Sequence, residues 1–120
     1  MSKSHQLGNW GEEIALSFLE ICGYVCLEKR YRKQTGEIDL IVRRDREIVF
    51  VEVKTRASGS MAPPEAWING LKISRMKKTA RHWIFENAPT GVCNFRFDAI
   101  SVEFSGHNRG MNVRHFTGIT

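Results

Sequence analysis

Residues 37–54 read Glu-Ile-Asp-Leu-Ile-Val-Arg-Arg-Asp-Arg-Glu-Ile-Val-Phe-Val-Glu-Val-Lys. Two runs rich in β-branched residues, Glu37–Val42 and Ile48–Lys54, flank a charged turn at Arg43–Glu47, which is the pattern of a β-hairpin. Ile48–Val51 is apolar on both faces, so this strand is expected to be central and covered on both sides. Side chains alternate along a strand. Glu52 and Lys54 therefore fall on the face of Ile48 and Phe50, and Asp39 on the face of Glu37 and Ile41. An ionised carboxylate taken out of water costs several kcal/mol or more unless something compensates it. A pair on neighbouring interior strands calls for a partner, either a buried ion pair with Lys54 that sets register or a divalent cation.

The cation fits the chemistry better. Magnesium takes oxygen ligands, keeps several waters, and is usually held by one or two carboxylates plus substrate phosphates. Asp39 and Glu52 would supply the carboxylates, and Lys54 would orient water or stabilise phosphate charge in the same pocket. Asp39 and Glu52 share a face of an antiparallel pair only if paired positions sum to an odd number. The hairpin connection must then hold an even count of residues, two (Asp45-Arg46) or four (Arg44–Glu47), or be corrected by a bulge.

Outward from the hairpin, residues 9–22 carry Trp10, Ile14, Phe18, Ile21 and Cys22 at helical spacing, with Asn9 as the expected cap and Gly23 as the stop. Tyr24–Glu28 reads as a short strand, and Arg30–Gly36 as a basic connection. Residues 57–65 are a loop by composition. A second helix is expected from the Asn69 cap to about Glu86, with Ile73, Met76, Ala80, Trp83 and Ile84 on one face. Asn94–Val102 is a strand, residues 105–111 are polar and Gly-rich, and Val113–Phe116 offers a short last strand. The order α-β-β-β-α-β defines an α/β fold in which helices flank a mixed sheet, over residues 1–120 as a single domain.

Composition narrows the function. At 120 residues and 42% hydrophobic content the chain can bury one core without staples. Its apolar runs stop at four residues, as at Ile48–Val51, far short of the ~18 a membrane span needs. The first ten residues contain no signal-like apolar stretch, so a cytoplasmic protein is expected. Cys22, Cys26 and Cys93 form no C-x-x-C and no zinc-finger spacing. Of the net charge of +5, residues 29–56 contribute +4 and residues 72–81 another +5, while residues 1–28 carry −3. Positive charge gathered in two blocks points to a polyanion, nucleic acid first.

A carboxylate on one strand and Glu-x-Lys on the next, after an acidic first helix, resembles the PD-(D/E)xK nuclease superfamily, which includes the Holliday junction resolvases. More narrowly, the chain resembles the YraN-like family of small bacterial endonuclease-like proteins. The resemblance spans roughly residues 8–104 and rests on Gly8-x-x-Gly11-Glu12 with Ala15, Gly36-Glu-Ile-Asp-Leu-Ile41 and Val49-Phe-Val-Glu-Val-Lys-Thr-Arg56. It continues in Glu65-Ala66, Lys72-x-x-Arg75 and Arg96-Phe-Asp98. It implies a restriction-endonuclease-like core and a nuclease activity dependent on magnesium or manganese. Asp39, Glu52 and Glu12 take the places of metal-binding acids, and Lys54 that of the catalytic lysine, so these four form the expected catalytic set.

Arg30, Arg32, Lys33, Arg56, Lys72 and Arg75 are the expected nucleic-acid contacts, Lys72 and Arg75 being neighbours on one helical face. DNA is favoured over RNA as the substrate. So short a chain would need a second copy or a protein partner to cut both strands. The rival function is a non-catalytic nucleic-acid-binding module on the same fold.

Overall fold

The computed structural model describes residues 3–57, 63–104 and 110–120, and of residues 3–7 and 64 the backbone alone. The elements run α1 (Lys3–Ile21), β1 (Val25–Lys33), β2 (Gly36–Arg44), β3 (Glu47–Ala57), a 3-10 turn (Pro64–Ala66), α2 (Gly70–Asn87), β4 (Asn94–Phe104) and β5 (Met111–Phe116). This is the expected α-β-β-β-α-β core with a fifth strand added. The five strands lie in sequence order across one sheet. Every neighbouring pair is antiparallel except β3 and β4, which run parallel and are joined through α2. The sheet is therefore mixed, with β3 at its centre.

The β2–β3 hairpin turns through Asp45 and Arg46, and Arg44 pairs with Glu47. The connection thus has the even length that parity demands. Asp45 takes a left-handed φ of 56°, a conformation Asp tolerates better than most residues.

Each face of the sheet carries its own core. On one, Ala15, Leu16 and Leu19 of α1 lie on Leu40, Val42, Val49, Val51, Ile100 and Val102. On the other, Ala80 and Trp83 of α2 lie on Tyr31, Ile38, Ile41, Ile48 and Phe50. Phe50 is fully buried and meets Trp83 edge-on at 5.9 Å. Burying a side chain of that kind is worth about 1.5–3 kcal/mol.

The first helix departs from expectation. It starts at Lys3, six residues before Asn9, because Lys3–Gly8 contains no proline to break it. Asn9 is mid-helix, and its side chain accepts from Arg30 instead of capping. Ile21 and Cys22 are exposed, and the buried stripe is Ala15, Leu16 and Leu19, with Ile14 and Phe18 at its margin. Ile21 sits about 200° around the helix from Leu19, on the far side from the sheet. Gly11 brings α1 directly onto β3: a Cβ there would lie 1.7 Å from the Thr55 hydroxyl. At the C-terminus Gly23, with φ 94°, closes the helix as expected. The Tyr24 N–H donates to Leu19 O and the Gly23 N–H to Glu20 O, each at 3.0 Å, a Schellman arrangement.

Arg30–Lys33 belongs to β1 and is not part of a connection. A basic run survives there because β1 is an edge strand, where charged side chains reach water. Arg30 has a left-handed φ of 51°, opposite Asp39 in the register. Beyond that kink alternation slips: Ile38 and Ile41, three residues apart, belong to one core. The simple expectation that Asp39 sits cleanly on the face of Ile41 is therefore corrected to a position at a phase change. In α2 the Asn69 cap forms as expected, its side chain accepting the Lys72 N–H at 2.9 Å. Met76, Ala80 and Trp83 are buried with Thr79, while Ile73 and Ile84 are half-buried. Residues 58–62 of the expected loop, and 105–109 of the Gly-rich segment, lie outside the described residues.

On β4, Asp98 is fully buried. It receives both Nε and Nη2 of Arg96 at 2.8 Å, the Gly118 N–H at 2.9 Å, and lies 2.7 Å from His115 Nε2. That cluster fastens β5 and the following residues to the sheet. No helix among the described residues is long and apolar enough to cross a membrane.

Candidate active site

The β2–β3 ladder runs to Leu40 opposite Val51. Continued by one residue, the same register sets Asp39 opposite Glu52. A carboxylate oxygen of Asp39 accepts the Val53 backbone N–H at 2.7 Å, a side chain taking over from the ladder where the strands part. Into that opening α2 delivers its first turns. Gly36, Glu37, Asp39 and Glu52 from the sheet, with Asn69, Leu71, Lys72, Arg75 and Met76 from the helix, line a cavity of about 420 Å³. Glu52 is 8% exposed, and Lys72 Nζ lies 2.7 Å from its Oε1.

The two carboxylates work against each other. Burial pushes Asp39 up to about 8, helped by the Glu52 charge and, further off, by Glu12 and Glu37, against the stabilising Val53 N–H. Burial also raises Glu52, opposed by its bond to Lys72 and by the charges of Lys72 and Lys54. One interior site thus holds more negative charge than its surroundings comfortably accept, which is the condition a bound cation relieves. Carboxylate oxygens are donors of the kind that magnesium and manganese take.

The remaining expected residues are distributed less simply. Lys54 is exposed and outside the cavity lining, although its charge bears on Glu52. Glu12 occupies an adjoining hollow lined by Gly8, Asn9, Glu12, Arg30, Arg32, Glu37 and Asp39. There Arg30 Nε holds its carboxylate at 3.0 Å. Asp39 and Glu37 line both hollows and form the wall between them. Among the described residues no three or more of His, Cys, Asp and Glu gather closely enough to hold a metal by themselves. The donors that fit a cation here are accordingly Asp39 and Glu52, with Glu12 engaged by Arg30.

The expected nucleic-acid contacts fall into two groups. Lys72 and Arg75 line the cavity itself. Arg30, Arg32 and Lys33 project from β1 and are tied to acids: Arg30 to Glu12, Arg32 to Glu37 at 2.9 Å, and Lys33 to Glu86 at 2.8 Å. Arg56 lies with its guanidinium 5.7 Å from the ring centre of Trp67. Two contributors went unassigned from sequence. Glu37 lines both hollows and raises Asp39 and Glu52; its signal was its place two residues before Asp39 in the same strand. Asn69, legible as a cap, also lines the cavity.

A family model for the uncharacterised protein family UPF0102 matches residues 11–102. The chain belongs to UPF0102. This is the family that the sequence motifs resemble. The UPF0102 protein of Geobacter metallireducens is 42% identical over 100 residues, covering 83% of this chain and 81% of that protein. The UPF0102 protein of Clostridium botulinum strain Kyoto is 39% identical over 108 residues, covering 90% and 88%. That of Syntrophomonas wolfei is 38% identical over 99 residues, covering 82% and 85%. The family match covers α1 from Gly11, the whole Asp39–Glu52 hairpin and α2, so the candidate site lies inside the part of the UPF0102 chain that defines membership.

Proposed function

We propose that this UPF0102 protein is a metal-dependent phosphodiesterase acting on nucleic acid, DNA ahead of RNA, with Asp39 and Glu52 as ligands of a magnesium or manganese ion. What supports this most is the meeting of two mutually repelling, shielded carboxylates at a cavity whose rim carries Lys72 and Arg75. A hard divalent ion, when bound, would polarise a phosphate oxygen and make a coordinated water a better nucleophile. The chain's own residues supply the rest. Lys72 and Arg75 hold phosphate oxygens, Lys72 exchanging its bond to Glu52 for one to the substrate. Lys54 adds positive charge beside Glu52 and stabilises charge developing on the phosphate. Glu12, with Arg30, borders the hollow on the α1 side. Nothing in this arrangement reads bases, so cutting would follow nucleic-acid structure and not sequence.

The Lys72–Glu52 ion pair gives a second reading some weight. It already neutralises one acid without a metal, as a non-catalytic nucleic-acid-binding module on this fold would require. Branched and linear DNA and RNA, incubated with magnesium, manganese or chelator, separate the two. The enzyme cuts only with metal, and Asp39→Ala and Lys54→Ala bind but do not cut. Binding with no cutting by any metal leaves the module. Cutting that survives Asp39→Ala contradicts the assignment of the site.

A further inference from the structure

On α2, residues Leu71, Arg75, Lys78, His82 and Phe85 recur at spacings of four, three, four and three. They therefore form one stripe along the helix, on its outer flank and away from the buried Met76, Ala80 and Trp83. Its first members, Leu71 and Arg75, line the carboxylate cavity. Its last three line a separate hollow of about 370 Å³ with Thr35 and Arg81, between α2 and the β1–β2 turn. The stripe thus joins two concavities along one side of a helix.

Its chemistry is specific. Phe85 is 88% exposed and Leu71 is 61% exposed, two large apolar side chains on a flank that also carries Arg75, Lys78, Arg81 and His82. The only acid in α2, Glu86, is held toward β1 by bonds from Lys33 and Tyr31, and of the stripe its charge bears on His82. A path of positive charge ending in an exposed aromatic ring matches single-stranded nucleic acid. Phosphates track the cations and an unstacked base finds a π-face. From Arg75 to Phe85 the helix rises about 15 Å, a span of a few nucleotides.

Building on the proposed function, we propose that the outer stripe of α2 binds the unpaired arm of a nucleic-acid substrate, with Arg75 and Lys78 on its phosphates and Phe85 stacked on a base. The cavity would then receive the phosphate where the paired and unpaired parts meet. This identifies the structure being recognised as a duplex bearing a single-stranded arm.

Fluorescence anisotropy in chelator, so that nothing is cut, tests it with three labelled DNAs: a blunt duplex, the same duplex with an arm of about eight nucleotides, and the arm alone. Phe85→Ala should weaken binding of the armed duplex and of the single strand by roughly 5- to 100-fold, leave the blunt duplex nearly unchanged, and be rescued by Phe85→Trp. Lys78→Ala should lower affinity for the armed duplex and reduce its salt slope by about one. Armed-duplex binding that is indifferent to Phe85→Ala, equal losses on blunt and armed DNA, or no binding of the single strand would each overturn the arm path. The catalytic proposal fails separately. Metal-dependent cutting together with an indifferent Phe85→Ala removes the arm path alone. A selective Phe85 effect in a protein that never cuts removes the catalysis alone.

Discussion

Asp39 accepts a main-chain hydrogen bond at 2.7 Å and still holds its proton toward neutral pH, because burial and the charge of Glu52 outweigh that bond. The consequence for stability has a definite sign. In the unfolded chain an aspartate loses its proton near pH 4, whereas in the folded protein this one is pushed up to about 8. Between those values the folded state binds more protons, so stability attributable to Asp39 falls as pH rises through that window and is lowest above it. Asp39→Asn keeps an oxygen for the Val53 N–H and removes the charge. In metal-free buffer it should raise the melting temperature at pH 8–9 by several degrees, on the order of 1–3 kcal/mol, with the gain shrinking toward pH 4–5. Thermal melts across that range check it; a gain independent of pH, or a loss at pH 9, would contradict the electrostatic account of the site.

The β2–β3 hairpin, β1 and α1 show why part of the architecture was readable and part was not. The hairpin was legible because period-two alternation and turn parity are local: the Asp45-Arg46 turn sets the register that carries Asp39 to the level of Glu52. The continuation of β1 through Arg30–Lys33 was hidden, since a basic edge strand has the composition of a loop. Strand alternation alone also missed the phase slip at Ile38, which accompanies a left-handed Arg30 on the neighbouring strand. The Lys72–Glu52 bond joins residues twenty apart through a crossover helix, and no spacing rule encodes it. The glycines of the first motif, by contrast, acquire distinct meanings. A Cβ at Gly11 would meet Thr55 at 1.7 Å, while one at Gly8 meets nothing within 4 Å. Gly11→Ala should therefore push α1 off β3 and cost about 1–3 kcal/mol. Gly8→Ala should stabilise by about 0.5–1 kcal/mol through helix propensity. Urea denaturation of the two variants reads both, and equal effects would show that the helix–strand approach is not as close as described.

Across the molecule, the sheet brings two interior carboxylates to one cavity, and their surroundings come from three elements: Glu12 from α1 with its partner Arg30 from β1, and Lys72 and Arg75 from α2. The positive charge concentrated on α2 then lies beside the acids and continues away from them along one flank. Membership of UPF0102 rests on the same segment of chain that builds this arrangement. A cation shared by Asp39 and Glu52 is what turns these features into a reaction centre, and it can be measured without any substrate. Isothermal titration of the wild-type protein with manganese at neutral pH should show about one ion per chain, as two carboxylates at one site imply, and both Asp39→Asn and Glu52→Gln should abolish that binding while remaining folded. An absence of binding to the wild type, or binding that persists unchanged in both variants, would contradict it.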